Sequence, residues 1–476
     1  GMPKYGRVKD SHIKVLEDIV GSEKVSTRPE ELYCYSRDST IFKYRPDVVV
    51  RPENSAQVSE ILNVANEDRI PVTPRGSGTS AAGLPLPVYG GILLDMSSMN
   101  KIELIDVENQ IAIVQPGVVC DVLNERLREY GFFFPPDPAS SPICTIGGMV
   151  NTNASGNRTM KYGPTRNYVL WLEVVLANGK IIHTGSKTLK SVSDYDLTRL
   201  FVGSEGSLGV VTKVGLKVVP LPESVGTAIF IFDSVDKLVR AATKVRLSGI
   251  VPEMLEFMDR RTTSASFDYA GIKDVPEGNF LLLDLGERRE AVEPLLEKVV
   301  SICNSENPEF VDKTLDLEYR ENLIKARKAA LPALSRLRPS TAMEDCTVPL
   351  TKLPEAAVKV EKIPEDLGVE GFGLGNFGHI GDGNMHPTFV FDEREEEQRK
   401  ALFKAIDILY QDIVLPLGGS VTAEHGIGLT RAKYVALEHP STVGLMRSLK
   451  RFFDPNLILN PGKGKGGPLS VEEAGS

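Results

Sequence analysis

Three glycine-rich segments with few charged residues constrain how the first half of the chain folds. The first follows a predicted strand at residues 70–73 and reads Pro74-Arg75-Gly76-Ser77-Gly78-Thr79-Ser80-Ala81-Ala82-Gly83. The second spans residues 138–156, and the third spans residues 203–209 and enters a predicted strand at 210–219. Successive backbone N–H groups in such loops bind anions, and a diphosphate is the natural occupant of the first. The small-residue surface of the second suits a flat aromatic ring, so the three segments together are difficult to explain as turns alone.

The order of predicted elements indicates two structural domains. Strands and helices alternate from residue 47, with a helix at 55–68, and this pattern stops at Pro220-Leu221-Pro222. The order strand, helix, strand, strand, helix then follows over residues 227–301, which is typical of an antiparallel sheet covered by helices. The first glycine loop does not match the G-x-G-x-x-G of a Rossmann unit, and no Walker GK[ST] sequence occurs. An α+β architecture is therefore expected.

Length, charge and cysteine content exclude several classes of protein. A chain of 476 residues should form two or three domains. Its net charge of -9 argues against nucleic acid as the main partner, because that partner requires a basic face. The five cysteines are scattered and form no C-x-x-C motif, which fits a reducing cytoplasm. No apolar run approaches the about 18 residues of a membrane span, and no signal-peptide pattern is present, so a cytoplasmic protein without a transmembrane segment is expected.

Two short stretches carry three of the six histidines. They read Gly378-His379-Ile380-Gly381-Asp382-Gly383-Asn384-Met385-His386 and Ala423-Glu424-His425-Gly426-Ile427-Gly428. Imidazole and carboxylate groups are what a divalent metal or a proton transfer requires near neutral pH. On these residues alone, a metal-dependent hydrolase and a redox enzyme both remain open. The other histidines, His12, His183 and His439, are predicted to be structural or surface residues.

In their order along the chain, the three glycine-rich segments resemble the flavin domain of the vanillyl-alcohol oxidase type. The later motifs G-H-I-G-D-G-N-M-H, A-E-H-G-I-G and F-D-P-N-L-I-L-N-P-G-K are similar to those of the FAD-linked D-2-hydroxyacid dehydrogenases, a family that includes D-lactate dehydrogenases and the flavin subunit of glycolate oxidase. The resemblance covers about residues 30–465. It implies a helical segment at 1–46, a two-subdomain FAD-binding domain at 47–222, a substrate (cap) domain with a ferredoxin-like antiparallel sheet at 223–425, and a C-terminal helical segment at 426–476 that returns to the FAD domain.

The resemblance also implies which residues bind FAD. Those expected to wrap the diphosphate are Arg75, Gly76, Ser77, Gly78, Thr79, Ser80 and Gly83. Those expected to line the cofactor and its isoalloxazine ring are Pro138, Ser141, Thr145, Gly147, Gly148, Asn153, Ala154, Ser155 and Gly156. The adenine and ribose end is assigned to Glu205, Gly206 and Val211, and the C-terminal tail places Asn460 near the flavin. Some relatives attach FAD through a histidine near the first loop, but residues 74–90 contain none, so non-covalent FAD is expected.

The same resemblance implies the chemistry. His379, His386 and Glu424 become ligands of a divalent metal, Zn or Mn, which is a sound two-histidine, one-carboxylate set. His425 becomes the general base, and Arg327 becomes the residue whose planar guanidinium binds the substrate carboxylate. The implied reaction is metal-assisted hydride transfer from a 2-hydroxy acid to flavin N5, giving a 2-oxo acid. Asp382 and Asn384 are expected to shape the loop between the histidines.

One departure from the family bears on the substrate. Relatives specific for a diacid such as 2-hydroxyglutarate carry a lysine just before the acidic pair that follows the arginine helix. The present chain reads Ala342-Met343-Glu344-Asp345, with Met343 at that place. Without this cation, a small or apolar D-2-hydroxy acid such as lactate, glycolate or a longer monoacid is favoured over a long diacid.

Other readings of the sequence remain open. The chain could be another flavin oxidoreductase of the same fold, such as an alcohol oxidase or a relative of alkylglycerone-phosphate synthase. It could also be a metal-dependent hydrolase whose glycine loops bind a nucleotide substrate, or a non-catalytic flavoprotein subunit. Because no iron–sulfur cysteine motif is present, the electron acceptor is expected to be a separate protein or a quinone. A homodimer and a peripheral membrane location through a partner are left open.

Overall fold

A computed structural model describes residues 4–463, so the ends of the predicted segments 1–46 and 426–476 lie partly outside the described residues. The strands are β1 Val25–Ser26, β2 Val48–Val50, β3 Val72–Arg75, β4 Ile92–Asp95, β5 Ile102–Asp106, β6 Ile111–Val114, β7 Phe132–Phe133, β8 Val169–Val175, β9 Ile181–Gly185, β10 Val210–Lys217, β11 Val219–Pro220, β12 Ser224–Phe232, β13 Met254–Met258, β14 Asn279–Glu287, β15 Phe310–Thr314, β16 Ser340–Met343, β17 Cys346–Thr347, β18 Gly373–Gly378 and β19 Asn384–Phe391. The helices are α1 Asp10–Val20, α2 Pro29–Cys34, α3 Ser55–Glu67, α4 Cys120–Arg128, α5 Ile146–Thr152, α6 Thr159–Tyr162, α7 Leu197–Phe201, α8 Val235–Leu247, α9 Arg260–Ala270, α10 Arg289–Asn304, α11 Leu317–Lys328, α12 Ala330–Leu334, α13 Leu353–Glu361, α14 Ile363–Leu367, α15 Glu396–Asp407, α16 Val435–Glu438 and α17 Val443–Phe453.

A small sheet in the order β1-β2-β4-β3 forms the first layer, and β2, β4 and β3 run parallel. Its strands are buried on both faces, which explains the uninterrupted valines of β2. The predicted strand at 70–73 begins instead at Val72, because the Ile70 N–H donates to Ala65 O at the end of α3. The segment 1–46, expected to be helical, contains α1 and α2 but also supplies the edge strand β1.

A second, fully antiparallel sheet has the order β5-β6-β10-β8-β9. The predicted strand at 210–219 is interrupted after Lys217, and the remaining piece, β11, pairs with β7 instead. The second glycine-rich segment contains a helix, α5, that the sequence analysis did not predict. Thr145 caps its N-terminus by accepting the Gly148 N–H, and Asn153 ends it in the left-handed conformation at φ 54°. The two glycines inside α5 concealed it, because glycine disfavours helix interiors.

The third sheet belongs to the later half of the chain and is antiparallel throughout. Its order is β15-β12-β14-β13-β18-β19-β16, and β17 pairs with β19. Helices cover both faces, since Phe230 of β12 packs in the core with α8 and α10 while its neighbour Ile229 packs with α9 and α11. The predicted α+β class and antiparallel cap sheet are confirmed. No helix within residues 4–463 is both long enough and apolar enough to cross a membrane.

The C-terminal tail packs against the first two sheets. The Phe453 ring, at the end of α17, contacts Phe201 with ring centroids 5.4 Å apart. The Asn460 N–H then donates to Val72 O at 2.8 Å, beside β3. Lys450 in α17 is fully buried. Its Nζ lies 2.6 Å from Asp454 Oδ2 and donates to Ser207 O and Leu459 O. A buried ion pair with these carbonyl contacts holds the tail to the third glycine-rich segment.

Replacing Lys450 should therefore weaken this domain. Lys450→Met leaves the buried Asp454 carboxylate without its cation, and we expect a loss of about 3–5 kcal/mol in the free energy of unfolding. Urea unfolding followed by fluorescence of Trp171, the single tryptophan of the chain, measures it, because Trp171 lies in β8 of the adjoining sheet. The control Lys400→Met removes an exposed i,i+4 pair and should cost less than about 1 kcal/mol. Equal midpoints for both variants would contradict this account of the tail.

Candidate active site

A cavity of about 710 Å³ lies where the glycine-rich segments meet the cap sheet. Most of the predicted FAD residues are on its wall, namely Arg75, Gly76, Ser77, Gly78, Thr79, Ser80, Pro138, Thr145, Gly147, Gly148, Ala154, Ser155, Glu205, Gly206, Val211 and Asn460. All five residues predicted for chemistry line the same cavity: Arg327, His379, His386, Glu424 and His425. Residues more than 340 positions apart in sequence therefore face one space, as Arg75 and Glu424 show.

Four predicted FAD residues lie behind the wall of this cavity rather than on it. The Gly83 N–H donates to Asp38 Oδ2 at 2.9 Å, and Ser141 is fully buried. Asn153 is the end of α5, where its Oδ1 accepts the Arg166 N–H. A side chain at Gly156 would come within 2.0 Å of Asp137 O. The structure therefore gives these four residues supporting contacts with the protein itself.

The first loop has the geometry of an anion site. No backbone N–H from Gly76 to Ala81 donates to another atom of the described chain, so a run of donors is free for a ligand. A Cβ on Gly76 would lie 2.3 Å from Thr145 Oγ1, so the loop and the start of α5 approach as closely as glycine allows. Arg75 places its guanidinium over the Tyr35 ring at 5.1 Å and adds a positive charge. These features fit the diphosphate of FAD.

The proposed metal ligands converge on one carboxylate oxygen. His379 follows β18, His386 lies in β19, and Glu424 lies in the loop after α15. His379 Nε2 is 3.1 Å and His386 Nε2 is 2.8 Å from Glu424 Oε1, and all three residues are buried. Burial alone would raise the pKa of Glu424, but the adjacent histidines hold it well below its usual value. Two imidazoles and an ionised carboxylate form a sound first shell for a divalent cation.

Glu256 was missed by the sequence analysis. It lies in the middle of β13, is fully buried, and accepts the His379 Nδ1–H at 2.7 and 2.8 Å. Burial lowers the pKa of His379, but Glu256 and Glu424 outweigh this effect and raise it well above its usual value. With Nδ1 engaged by Glu256, Nε2 is the atom directed at the shared centre. The available sequence signal was a single carboxylate inside an otherwise apolar strand.

Asp345 was also missed as a functional residue. Its Oδ2 accepts the backbone N–H groups of Ala423, Glu424 and His425, each at 2.9 Å, and also the Thr422 hydroxyl. Burial would raise the pKa of Asp345, but the neighbouring His425, His386 and Arg431 hold it well below its usual value. One buried carboxylate thus fixes the loop that carries Glu424 and His425, the proposed metal ligand and the proposed base.

His425 lies against this centre with its ring only partly engaged. The ring stacks on His386 with centroids 4.8 Å apart, and its Nε2 is 3.4 Å from Glu424 Oε1. Its Nδ1 is buried and has no hydrogen-bond partner in the described chain. A histidine with a fixed backbone and an uncommitted ring nitrogen can accept a proton from a ligand in the cavity.

Arg327 projects from the last turn of α11 and is 3% exposed. Its guanidinium lies over the Phe377 ring at 5.1 Å, and one terminal nitrogen is 3.9 Å from Glu256 Oε2. Its Nε has no hydrogen-bond partner within residues 4–463. Burial lowers the pKa of Arg327, and Glu256 and Glu424 counteract that effect. A buried, incompletely bonded guanidinium on a cavity wall is suited to a carboxylate ligand.

The FAD-binding half also contacts the loop that carries Glu424 and His425, here called the cap loop (residues 422–428). The Ser155 hydroxyl donates to Glu424 Oε2 at 2.7 Å, so the Glu424 carboxylate has partners in both halves of the chain. Glu205 Oε1 accepts the Ile427 N–H at 2.6 Å and the Gly428 N–H at 3.1 Å. Burial raises the pKa of Glu205 to about 7. Glu205 was assigned to the adenine and ribose end, and the structure shows it bonded to the cap loop while also lining the cavity.

The remaining histidines make contacts away from the cavity. His12 bonds Asp68 and accepts the backbone N–H of Lys9 just before α1, His183 bonds Glu173, and His439 pairs with Glu438. Asn384, the first residue of β19, donates to Asp345 Oδ1 at 2.9 Å, which ties the segment between His379 and His386 to the carboxylate that binds residues 422–425.

Comparison of the chain with known protein families identifies its family. The family model for the C-terminal domain of FAD linked oxidases matches residues 221–464, and a FAD binding domain model matches residues 46–185. The chain therefore belongs to the FAD linked oxidases, and it is an FAD-linked oxidoreductase.

Among curated relatives, the chain is 41% identical to the glycolate oxidase subunit GlcD of Bacillus subtilis (strain 168), over 94% of this chain and 95% of that protein. It is 34% identical to the mitochondrial D-lactate dehydrogenase [cytochrome] of Arabidopsis thaliana, over 97% and 81%. Among solved structures, p-cresol methylhydroxylase with substrate bound superposes with a TM-score of 0.78 at 19% identity, over 97% of both chains. That likeness shows the fold alone, which is the predicted vanillyl-alcohol oxidase type.

The role of Asp345 can be tested by hydrogen exchange. Asp345→Asn loses the charge and, with it, most of the strength of three charge-assisted hydrogen bonds, so amide exchange in residues 422–426 should accelerate about tenfold or more, which corresponds to the about 1.5–3 kcal/mol of one such bond. Mass spectrometry of peptides covering this loop measures the change. The control Asp392→Asn alters a carboxylate whose partner in the described part of the chain is the exposed Arg394, and the same peptides should exchange as in the wild type. Unchanged exchange in Asp345→Asn would show that other contacts fix the loop.

Proposed function

We propose that this protein oxidises a small D-2-hydroxy acid to the 2-oxo acid with FAD and a divalent metal, and passes the electrons to an external acceptor. The observation that carries the proposal is the convergence, in one cavity, of the buried guanidinium of Arg327, the cluster of His379, His386 and Glu424, and the imidazole of His425. The identity to a glycolate oxidase subunit and to D-lactate dehydrogenases supports the same reaction class.

FAD would be held without a covalent bond by the N–H groups of the first loop and by the small residues around α5. When bound, it supplies the two-electron acceptor for the hydride that leaves the α-carbon. A divalent cation, Zn or Mn, would be held by His379, His386 and Glu424, and it would supply Lewis acidity toward the substrate hydroxyl. The buried, ionised Glu424 and the Glu256-oriented His379 fit such a cation.

The protein's own groups position the substrate and move its proton. Arg327 binds the carboxylate, which fixes the α-carbon relative to the ligand set. His425 accepts the hydroxyl proton at Nδ1, the ring nitrogen that has no hydrogen-bond partner within the described residues, while Nε2 lies 3.4 Å from Glu424 Oε1. Asp345 keeps His425 in place by accepting its backbone N–H at 2.9 Å.

Several finer properties belong to the same proposal. Met343 lines the cavity where a lysine would favour a diacid, so a monoacid is the expected substrate. The electron acceptor is proposed to be a separate protein or a quinone. A homodimer, a cytoplasmic location and attachment to a membrane through a partner stay predictions. The hydrolase alternative is not proposed, because the chain belongs to a family of FAD-linked oxidoreductases.

The proposal predicts stereospecific dye reduction. The purified flavoprotein should reduce a dye with D-lactate or another small D-2-hydroxy acid and not with the L-enantiomer. Chelation of the metal should remove this activity while the flavin absorbance is retained. His425→Gln should lower kcat by about 10²–10⁴-fold, the usual contribution of a general base. His439→Gln is the matched control, because the His439 ring is half exposed and, within residues 4–463, pairs only with its neighbour Glu438.

Arg327 gives a second, separable readout. Arg327→Lys retains the charge but loses the planar fork, so kcat/KM should fall by at least tenfold with the larger part in KM, which corresponds to the loss of one charge-assisted hydrogen bond. Wild-type turnover in both His425→Gln and Arg327→Lys would overturn the site assignment. If the enzyme stays active after chelation has removed the metal, the metal assignment is wrong, but the assignment of 2-hydroxy acid oxidation is not affected.

A further inference from the structure

A second cavity of about 510 Å³, here called the side chamber, lies next to the active cavity. Ser39, Ala81, Leu331 and Met343 line both cavities, so they form the partition between them. The volume of the side chamber falls within the range of cavities that hold small molecules in proteins. Its position and size raise the question of which part of which ligand it receives.

Most of the side chamber is apolar. Beyond the partition, its wall includes Ile41 and Phe42 from the N-terminal segment and Leu402 and Ile406 from α15. Lys433 carries the one positive charge among the residues that line the side chamber, and its Nζ lies 2.5 Å from Asp407 Oδ1. The one carboxylate on the wall, Glu344, accepts the Tyr410 hydroxyl and lies 3.2 Å from Arg431. This wall therefore favours a hydrocarbon over a second carboxylate.

The partition lies directly beside the proposed metal ligands. Met343 ends β16 and pairs with Thr388 of β19, two residues from His386 on the same strand. Ser39 and Ala81 on the opposite side of the partition are small. Methionine has three rotatable bonds and no branch, so its side chain can move aside with little loss of packing. Movement of the Met343 side chain would therefore connect the side chamber with the part of the active cavity lined by Arg327 and His386.

We propose that the side chamber binds the apolar side chain of the substrate, so that the preferred substrate is a D-2-hydroxy acid with an aliphatic side chain of about four carbons rather than lactate or glycolate. This inference rests on the proposed function, since it assumes that the carboxylate and hydroxyl lie at Arg327 and the histidines. The side chamber is assigned to the substrate and not to a quinone acceptor because its partition includes Met343, the strand neighbour of the ligand-bearing β19.

Binding of the reaction products tests the proposal without turnover. Calorimetry with the oxidised holoenzyme would measure the affinity for 2-oxopropanoate, 2-oxobutanoate, 2-oxopentanoate and 2-oxohexanoate. Burial of each methylene should tighten binding by about fourfold. The same series of D-2-hydroxy acids in the dye assay should show a parallel rise in kcat/KM.

Filling the side chamber should abolish this dependence on chain length. Ile406→Trp adds bulk from α15, and Ile41→Phe adds bulk from the opposite wall in case the first variant fails to fold. Both should bind 2-oxopropanoate and oxidise D-lactate as the wild type does while losing at least tenfold in affinity and kcat/KM for the six-carbon acids. Lys400→Trp, on the exposed side of α15, is the matched control and should retain the wild-type series.

The outcomes separate this inference from the proposed function. Equal affinity for short and long acids in the wild type would overturn the role of the side chamber while leaving 2-hydroxy acid oxidation intact. The same conclusion would follow if both filled variants kept the chain-length dependence of the wild type. A filled variant that loses activity only with a hydrophobic quinone as acceptor would reassign the side chamber to the acceptor. Failure of every 2-oxo acid to bind and of every 2-hydroxy acid to react would overturn both proposals.

Discussion

The interaction on which the site depends is the burial of the Glu424 carboxylate between two domains. One oxygen faces His379 and His386, and the other accepts the Ser155 hydroxyl from the FAD-binding half. A buried carboxylate without such partners would cost several kcal/mol, so the histidines and the serine must be present for the loop to adopt this position. The cap sheet supplies the imidazoles, and the glycine-rich segment supplies the hydroxyl. The two halves of the chain therefore meet at this one carboxylate on the wall of the cavity.

A second layer of buried charges holds that arrangement in place. Glu256 orients His379, and Asp345 binds three consecutive backbone N–H groups of the loop that carries Glu424 and His425. Glu205 binds two further N–H groups of the same loop from the FAD-binding half. The loop itself is rich in glycine and has little apolar surface to bury, so these carboxylates replace the packing that would fix a helix or strand. Such fixed partners hold the side chains of His379 and Glu424 and the backbone of His425 in the positions that the proposed function requires.

Much of the fold could be predicted from the sequence, because the strands of both halves show clear patterns of apolar residues and the proline pair marks the passage between them. The helix α5 could not, since Gly147 and Gly148 hide it and its boundaries depend on the caps Thr145 and Asn153. The chemistry-bearing residues were named through resemblance, and their convergence needed the structure. Glu256 and Asp345 were overlooked because each is a single carboxylate whose partners are distant in sequence. Gly83, Ser141, Asn153 and Gly156 were assigned to FAD from motif position, which does not distinguish a wall residue from its support.

The central claim is that Glu424 and its two histidines hold a metal ion beside the flavin. Metal and flavin content per chain, measured by elemental analysis and absorbance on the wild type and on Glu424→Gln, tests this claim most directly. The account predicts close to one divalent ion per flavin in the active wild type, and loss of the ion with retention of the flavin in Glu424→Gln. A fully active wild-type protein without stoichiometric metal, or the same metal content in both proteins, would contradict it.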